Sequence, residues 1–100
     1  IVNISSLMGS ITDNSSGGYY SYRMSKAALN MAVKSMSQDL RRKNISVFAF
    51  HPGWVRTRMG SPIAPVSTKK SVNGMMHILD QLSMSDTGKF YNFKGEELPW

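Results

Sequence analysis

A phenol and an ammonium stand four residues apart in Tyr22-Arg23-Met24-Ser25-Lys26, and no other pair in this sequence is better suited to moving a proton. Residues i and i+4 share one face of a helix. An ammonium held beside a phenol draws the phenol's pKa down from about 10, so Lys26 is expected to make Tyr22 a proton donor or acceptor near neutral pH. Composition alone can produce such a spacing, so the pair depends on its surroundings for support. That support comes from Ser5-Ser6, which close the apolar run Ile1-Val2-Asn3-Ile4, and from Pro52-Gly53, which follow a second apolar run. A serine hydroxyl donates a hydrogen bond to a carbonyl oxygen, a tyrosine passes the proton, and a lysine holds the charge that develops. These functions fit reduction of a carbonyl or oxidation of an alcohol. No side chain donates hydride, so the chemistry calls for a nicotinamide or flavin.

The elements that would position these groups can be read from the apolar pattern. Ile1 to Ser5 is short and β-branched, as in a buried parallel strand. Ser10 to Gly18 has the composition of a surface loop. From Tyr20 to Lys43, Met24, Ala27, Ala28, Met31, Ala32, Met36 and Leu40 recur at helical spacing with no glycine or proline between them, which predicts a helix that stops at Asn44. Ile45 to Phe50 reads as a second buried strand. A strand, helix and parallel strand form a right-handed crossover that brings both carboxyl ends to one sheet edge, so Ser6 and Pro52-Gly53 are expected together. Trp54 to Val66 contains Gly60, Pro62 and Pro65 and reads as a loop or lid. Ser67 caps a predicted second helix with Val72, Met75, Met76, Leu79 and Leu82 on its apolar face, and Lys89 to Phe93 is a last strand. The fold class predicted is α/β, β-α-β-α-β, the carboxy-terminal part of a Rossmann-like doubly wound parallel sheet.

Composition limits the other functions. There is no cysteine, which removes disulfides and thiolate metal sites and suits a cytoplasmic setting, and His51 and His77 are too isolated to suggest a metal. His51 is read as structural. The formal net charge is +6, but its only clusters are Arg41-Arg42-Lys43 and Lys69-Lys70, which read as solvated faces, so no nucleic-acid partner is expected. No apolar run reaches the roughly 18 residues of a membrane helix. The chain opens on Ile1 inside an apolar run, and residues 1–100 are read as the carboxy-terminal catalytic half of one domain whose dinucleotide-binding half precedes it.

Three segments in order, Asn3-Ile4-Ser5-Ser6, Tyr22 to Lys26 and Pro52-Gly53-Trp54-Val55-Arg56-Thr57, resemble the short-chain dehydrogenase/reductase superfamily. Gly17-Gly18-Tyr19-Tyr20 and the ending Gly95 to Trp100 extend the resemblance to its sniffer and C-factor-like carbonyl reductases. The resemblance implies Tyr22 as acid/base, Lys26 lowering its pKa and binding the nicotinamide ribose, and Ser6 rather than Ser5 polarising the carbonyl. It also implies that Pro52, Gly53, Val55 and Thr57 meet the nicotinamide, with NADP(H) favoured over NAD(H). The partner implied is a small carbonyl or alcohol, and the long helix is a common dimer surface in the family. Tyr19, Tyr20 and Trp54 are expected to line the substrate pocket or pack the loop. A noncatalytic interaction or signalling protein on the same fold is the alternative.

Overall fold

Phe48-Ala49-Phe50 sets two large rings on one side of a strand and a methyl group on the other. In the computed structural model, which describes residues 1–100, this strand is the centre of the sheet. The elements run β1 (Val2–Ile4), α1 (Tyr20–Asp39), β2 (Phe48–His51), α2 (Thr68–Leu79) and β3 (Phe90–Asn92), with 3₁₀ turns at Leu7–Gly9, Arg41–Lys43 and Met84–Asp86. The sheet order is β1-β2-β3 and both pairings are parallel, with Asn3 opposite Ala49 and His51 opposite Asn92. This is the Rossmann-like α/β arrangement that the apolar pattern predicts.

Both faces of β2 are covered, as its unbroken apolar run requires. On one face Val33 of α1 packs with Val47, Ala49 and Phe90, flanked by Leu98 and Trp100. On the other, Ile78 of α2 packs with Phe48, Phe50 and Tyr91, flanked by Met75, Leu79 and Leu82. Phe50 and Phe90 are fully buried, and each stabilises the fold by about 1.5–3 kcal/mol through removal of its ring from water. Trp100 stacks on Phe90 at 5.3 Å. The last residues thereby close the outer side of β3, with the Leu98 N–H donating to Phe90 O at 2.7 Å.

Element boundaries shift for identifiable reasons. The strand expected from Ile45 starts at Phe48, because the Ile45 N–H donates back to Leu40 O and the Val47 N–H donates to Thr87 Oγ1. The helix expected to reach Lys43 ends at Asp39 and passes into a 3₁₀ turn, which Asn44 closes in the left-handed conformation at φ 56°. Asn44 is therefore the stop that was expected. Ser67 caps α2 as expected, its hydroxyl accepting from the Lys70 N–H at 3.1 Å.

Helix faces required more correction. The methionine and alanine stripe of α1 is only partly its buried face: Met36 and Leu40 pack against the core, but Met24 and Met31 are each 68% exposed, and Asn30, Val33 and Ser37 are the buried residues. The helix lies so close to its neighbours that small side chains are needed there. A Cβ on Gly88 would stand 2.6 Å from Ser37 Oγ. Along α2 and just past its end, Met75, Leu79 and Leu82 pack against the core as expected, but Val72 and Met76 are exposed and Ser71 and Ile78 are the helix's most buried residues.

Candidate active site

The approach to α1 determines where Tyr22 and Lys26 stand. Gly17, Gly18 and Tyr19 all have positive φ (68°, 70° and 51°), so the chain enters the helix through three left-handed residues. Glycine adopts this conformation freely, while Tyr19 adopts it against its Cβ. Arg23 secures the entry. Its guanidinium donates to Gly17 O, Gly18 O and Ser16 Oγ, and also to Met8 O at 3.2 Å in the turn after β1. The second residue of the Tyr-x-x-x-Lys motif thus ties the helix start to the loop on one side and to the strand end on the other.

Gly9 brings that turn against α1. A Cβ there would lie 2.8 Å from the Lys26 carbonyl carbon and 2.8 Å from its Cβ, so only glycine allows the contact. The Lys26 ammonium donates to Ile4 O at 3.3 Å and lies 5.9 Å from the centroid of the Tyr22 ring. Ser5 is buried and its hydroxyl donates to Asn30 Oδ1, whereas Ser6 caps the 3₁₀ turn, its oxygen accepting from the Met8 N–H at 3.1 Å. Accepting that bond leaves the Ser6 hydrogen free to donate.

A cavity of about 1000 Å³ opens at the carboxyl ends of the strands. Ser6, Tyr22, Pro52, Gly53, Val55 and Thr57 all line it, and so do Tyr19 and Trp54. In open α/β sheets this is where ligands bind. Ser5 and Lys26 are not on the cavity wall, and Tyr20 is 79% exposed and stands apart from it. Of the predicted set, the cavity therefore gathers one serine, the tyrosine and the Pro52 to Thr57 segment, while Lys26 lies behind Tyr22 against β1.

The Pro52-Gly53 segment is more than a simple turn. Gly53 has φ 84°, and a Cβ there would stand 2.7 Å from the Phe93 ring. Beyond it, the Arg56 N–H donates to Val66 O at 2.8 Å and the Val66 N–H to Trp54 O at 3.2 Å, which pinches the neck of the loop. That pattern brackets Val55 and leaves its own N–H outside the bridge. The cavity wall thus carries hydroxyls at Ser6 and Thr57, the latter accepting from the Gly60 N–H at 3.0 Å, beside Pro52 and Trp54. Hydroxyls next to flat apolar groups are compatible with a planar aromatic amide.

Two residues read as structural or passed over in the sequence also reach the cavity, His51 and Arg23. Burial pushes the His51 imidazole below its ordinary pKa, partly offset by the charge of Asp13. Its Nδ1 is buried without a hydrogen-bond partner, a condition that costs about 1–3 kcal/mol. Membership of a strand's last turn of pleat is a signal the sequence does carry for His51. Arg23 has no such signal, because its partners are two loop carbonyls, the Ser16 hydroxyl and a carbonyl of the turn after β1.

A three-stranded parallel α/β layer with Ser6 and Tyr22 facing one cavity at its carboxyl edge, and Lys26 one turn behind, defines a Rossmann-like α/β unit with a candidate site at that edge. The short chain dehydrogenase family model matches residues 1–68, and the chain belongs to that family. It is 48% identical to the C-signal protein of Myxococcus xanthus over 100 residues, covering 100% of this chain and 60% of that one. Its structure matches the carbonyl reductase Sniffer of D. melanogaster with a TM-score of 0.95 at 43% identity, covering 100% of this chain and 40% of Sniffer. It also matches an NADPH-bound carbonyl reductase from chicken fatty liver, with a TM-score of 0.92 at 43% identity and 42% of that chain covered. The chain thus spans between 40% and 60% of the length of these relatives.

Proposed function

We propose that residues 1–100 form the carboxy-terminal catalytic half of an NADP(H)-dependent reductase that converts a small-molecule carbonyl to an alcohol. The observation that carries this reading is the convergence of Ser6, Tyr22, Pro52-Gly53 and Thr57 on one cavity at the strand carboxyl ends. The names of two structural relatives, both carbonyl reductases and one NADPH-bound, point the same way.

The chemistry follows from the side chains. A bound nicotinamide would supply the hydride, which no residue can provide. The Ser6 hydroxyl donates to the substrate carbonyl oxygen and draws charge onto it. Tyr22 gives its phenolic proton to that oxygen as the charge develops. Lys26, held against Ile4 O behind the ring, places a positive charge near the phenolate that remains. Pro52, Gly53, Val55 and Thr57 would hold the nicotinamide, and Lys26, by leaving Ile4 O, would hold its ribose. Tyr19 and Trp54 give the substrate an aromatic wall.

NADPH consumption by the longer protein with a panel of aldehydes, ketones and quinones tests this reading. Turnover with at least one carbonyl is expected; no turnover with any of them, in a protein that binds NADPH, would contradict it. The name of the C-signal relative favours a second reading, a signalling or interaction protein that retains the fold without turnover. On that reading, loss of the Tyr22 hydroxyl would leave biological output intact.

A further inference from the structure

Tyr22, Lys26 and Asn30 follow one another at four-residue steps along α1 and so form a single stripe. The stripe runs beside the end of β1. Lys26 Nζ donates to Ile4 O at 3.3 Å, and one turn further on Asn30 Oδ1 accepts from Ser5 Oγ at 2.5 Å. The second bond is enclosed, with Ser5 3% and Asn30 4% exposed. The other half of the Asn30 amide, Nδ2, is buried without a partner. An apolar residue of similar volume would avoid that unmet donor, so packing alone gives no reason for an asparagine here. The group it contributes is an acceptor for Ser5.

Ser6 is still extended, with φ −148° and ψ 145°, so it and Ser5 turn to opposite sides of the chain. Holding Ser5 inward therefore turns Ser6 outward. We propose that Asn30 is a positioning residue for Ser6: by fixing Ser5 Oγ against α1, it aims the Ser6 hydroxyl into the cavity beside Tyr22. This inference rests on the carbonyl-reductase reading and adds Asn30 and Ser5 to the machinery behind it. It makes the Tyr-x-x-x-Lys motif a three-turn element that positions both the acid and the hydroxyl that works with it.

The test is a set of variants of the longer protein. Asn30→Ala and Ser5→Ala are each expected to lower kcat for carbonyl reduction roughly 10- to 100-fold, the effect of a small misplacement, with little change in KM for NADPH. The double variant should be no worse than the weaker single, because both remove the same bond. In a Ser6→Ala background, Asn30→Ala should lower kcat no further. A purely structural asparagine would instead lower thermal stability and leave kcat per active site unchanged, or add its full effect to Ser6→Ala; either result overturns the proposal. If Asn30→Ala does not fold, Ser5→Ala carries the same comparison. A wild type that turns over no carbonyl contradicts the function reading instead. The crystal structure of Ser5→Ala then decides the positioning claim by itself: Ser6 Oγ turned from the cavity supports it, and Ser6 Oγ unmoved overturns it.

Discussion

At Ser6, one lone pair is already committed to the Met8 N–H, and the hydroxyl hydrogen remains to be given away. The residue is thus prepared as a donor before any substrate arrives. Tyr22 stands on the same cavity with the Lys26 charge behind its ring. Lys26→Met should therefore lower turnover, because the positive charge behind the ring no longer faces the negative charge that develops there. An unchanged rate would argue against electrostatic support from Lys26. His51 gives a separate pH prediction. Burial lowers its pKa, so as pH falls the unfolded chain takes up a proton before the folded one does. Stability is then fully present above about 6.5 and declines as pH drops from there toward the lower folded value. Urea midpoints should fall between about pH 7 and pH 5, and His51→Gln should remove part of that slope; the same slope in the variant would contradict the assignment.

The elements hold these residues by close approach more than by apolar periodicity. Gly9 illustrates this, since its missing Cβ lets the turn after β1 rest on the α1 backbone at Lys26. Gly9→Ala should destabilise the protein by about 1–3 kcal/mol through overpacking and should reduce turnover as well, both measurable by thermal melts and steady-state rates. Normal stability and turnover in that variant would mean the contact does not position Lys26. The same reliance on close approach explains what was legible in the sequence. The order of strands and helices, the Ser67 cap and the Asn44 stop follow from local chemistry, and each stands where expected. The buried face of α1 was not legible. Asn30 and Ser37 are polar, and only the tertiary contacts with Ser5 and Gly88 show why they are inside. Arg23 was equally hidden, because its partners lie in a loop and a turn that no helical pattern connects to it.

At the scale of the whole molecule, the carboxyl edge of the sheet brings together segments more than forty residues apart, Ser6 and the stretch from Pro52 to Thr57. Their convergence was legible from the crossover rule, while the place of Arg23 on the cavity wall was not. The opposite side of the sheet matters too. β1 forms an edge whose outer side has no partner strand, and Ile1 and Ile4 beside it are 54% and 49% exposed. Unpaired backbone with apolar flanks invites association. Residues 1–100 alone are expected to self-associate in sedimentation experiments, and a monodisperse, cooperatively unfolding monomer that binds NADPH tightly would contradict that expectation. The chain covers only part of each relative's length, so its catalytic claim is best judged in the longer protein. The most direct judgement compares wild type with Tyr22→Phe in NADPH-dependent reduction of the best carbonyl substrate. Near-complete loss of turnover with NADPH binding retained is expected, and equal rates in the two proteins would remove Tyr22 from the proton transfer.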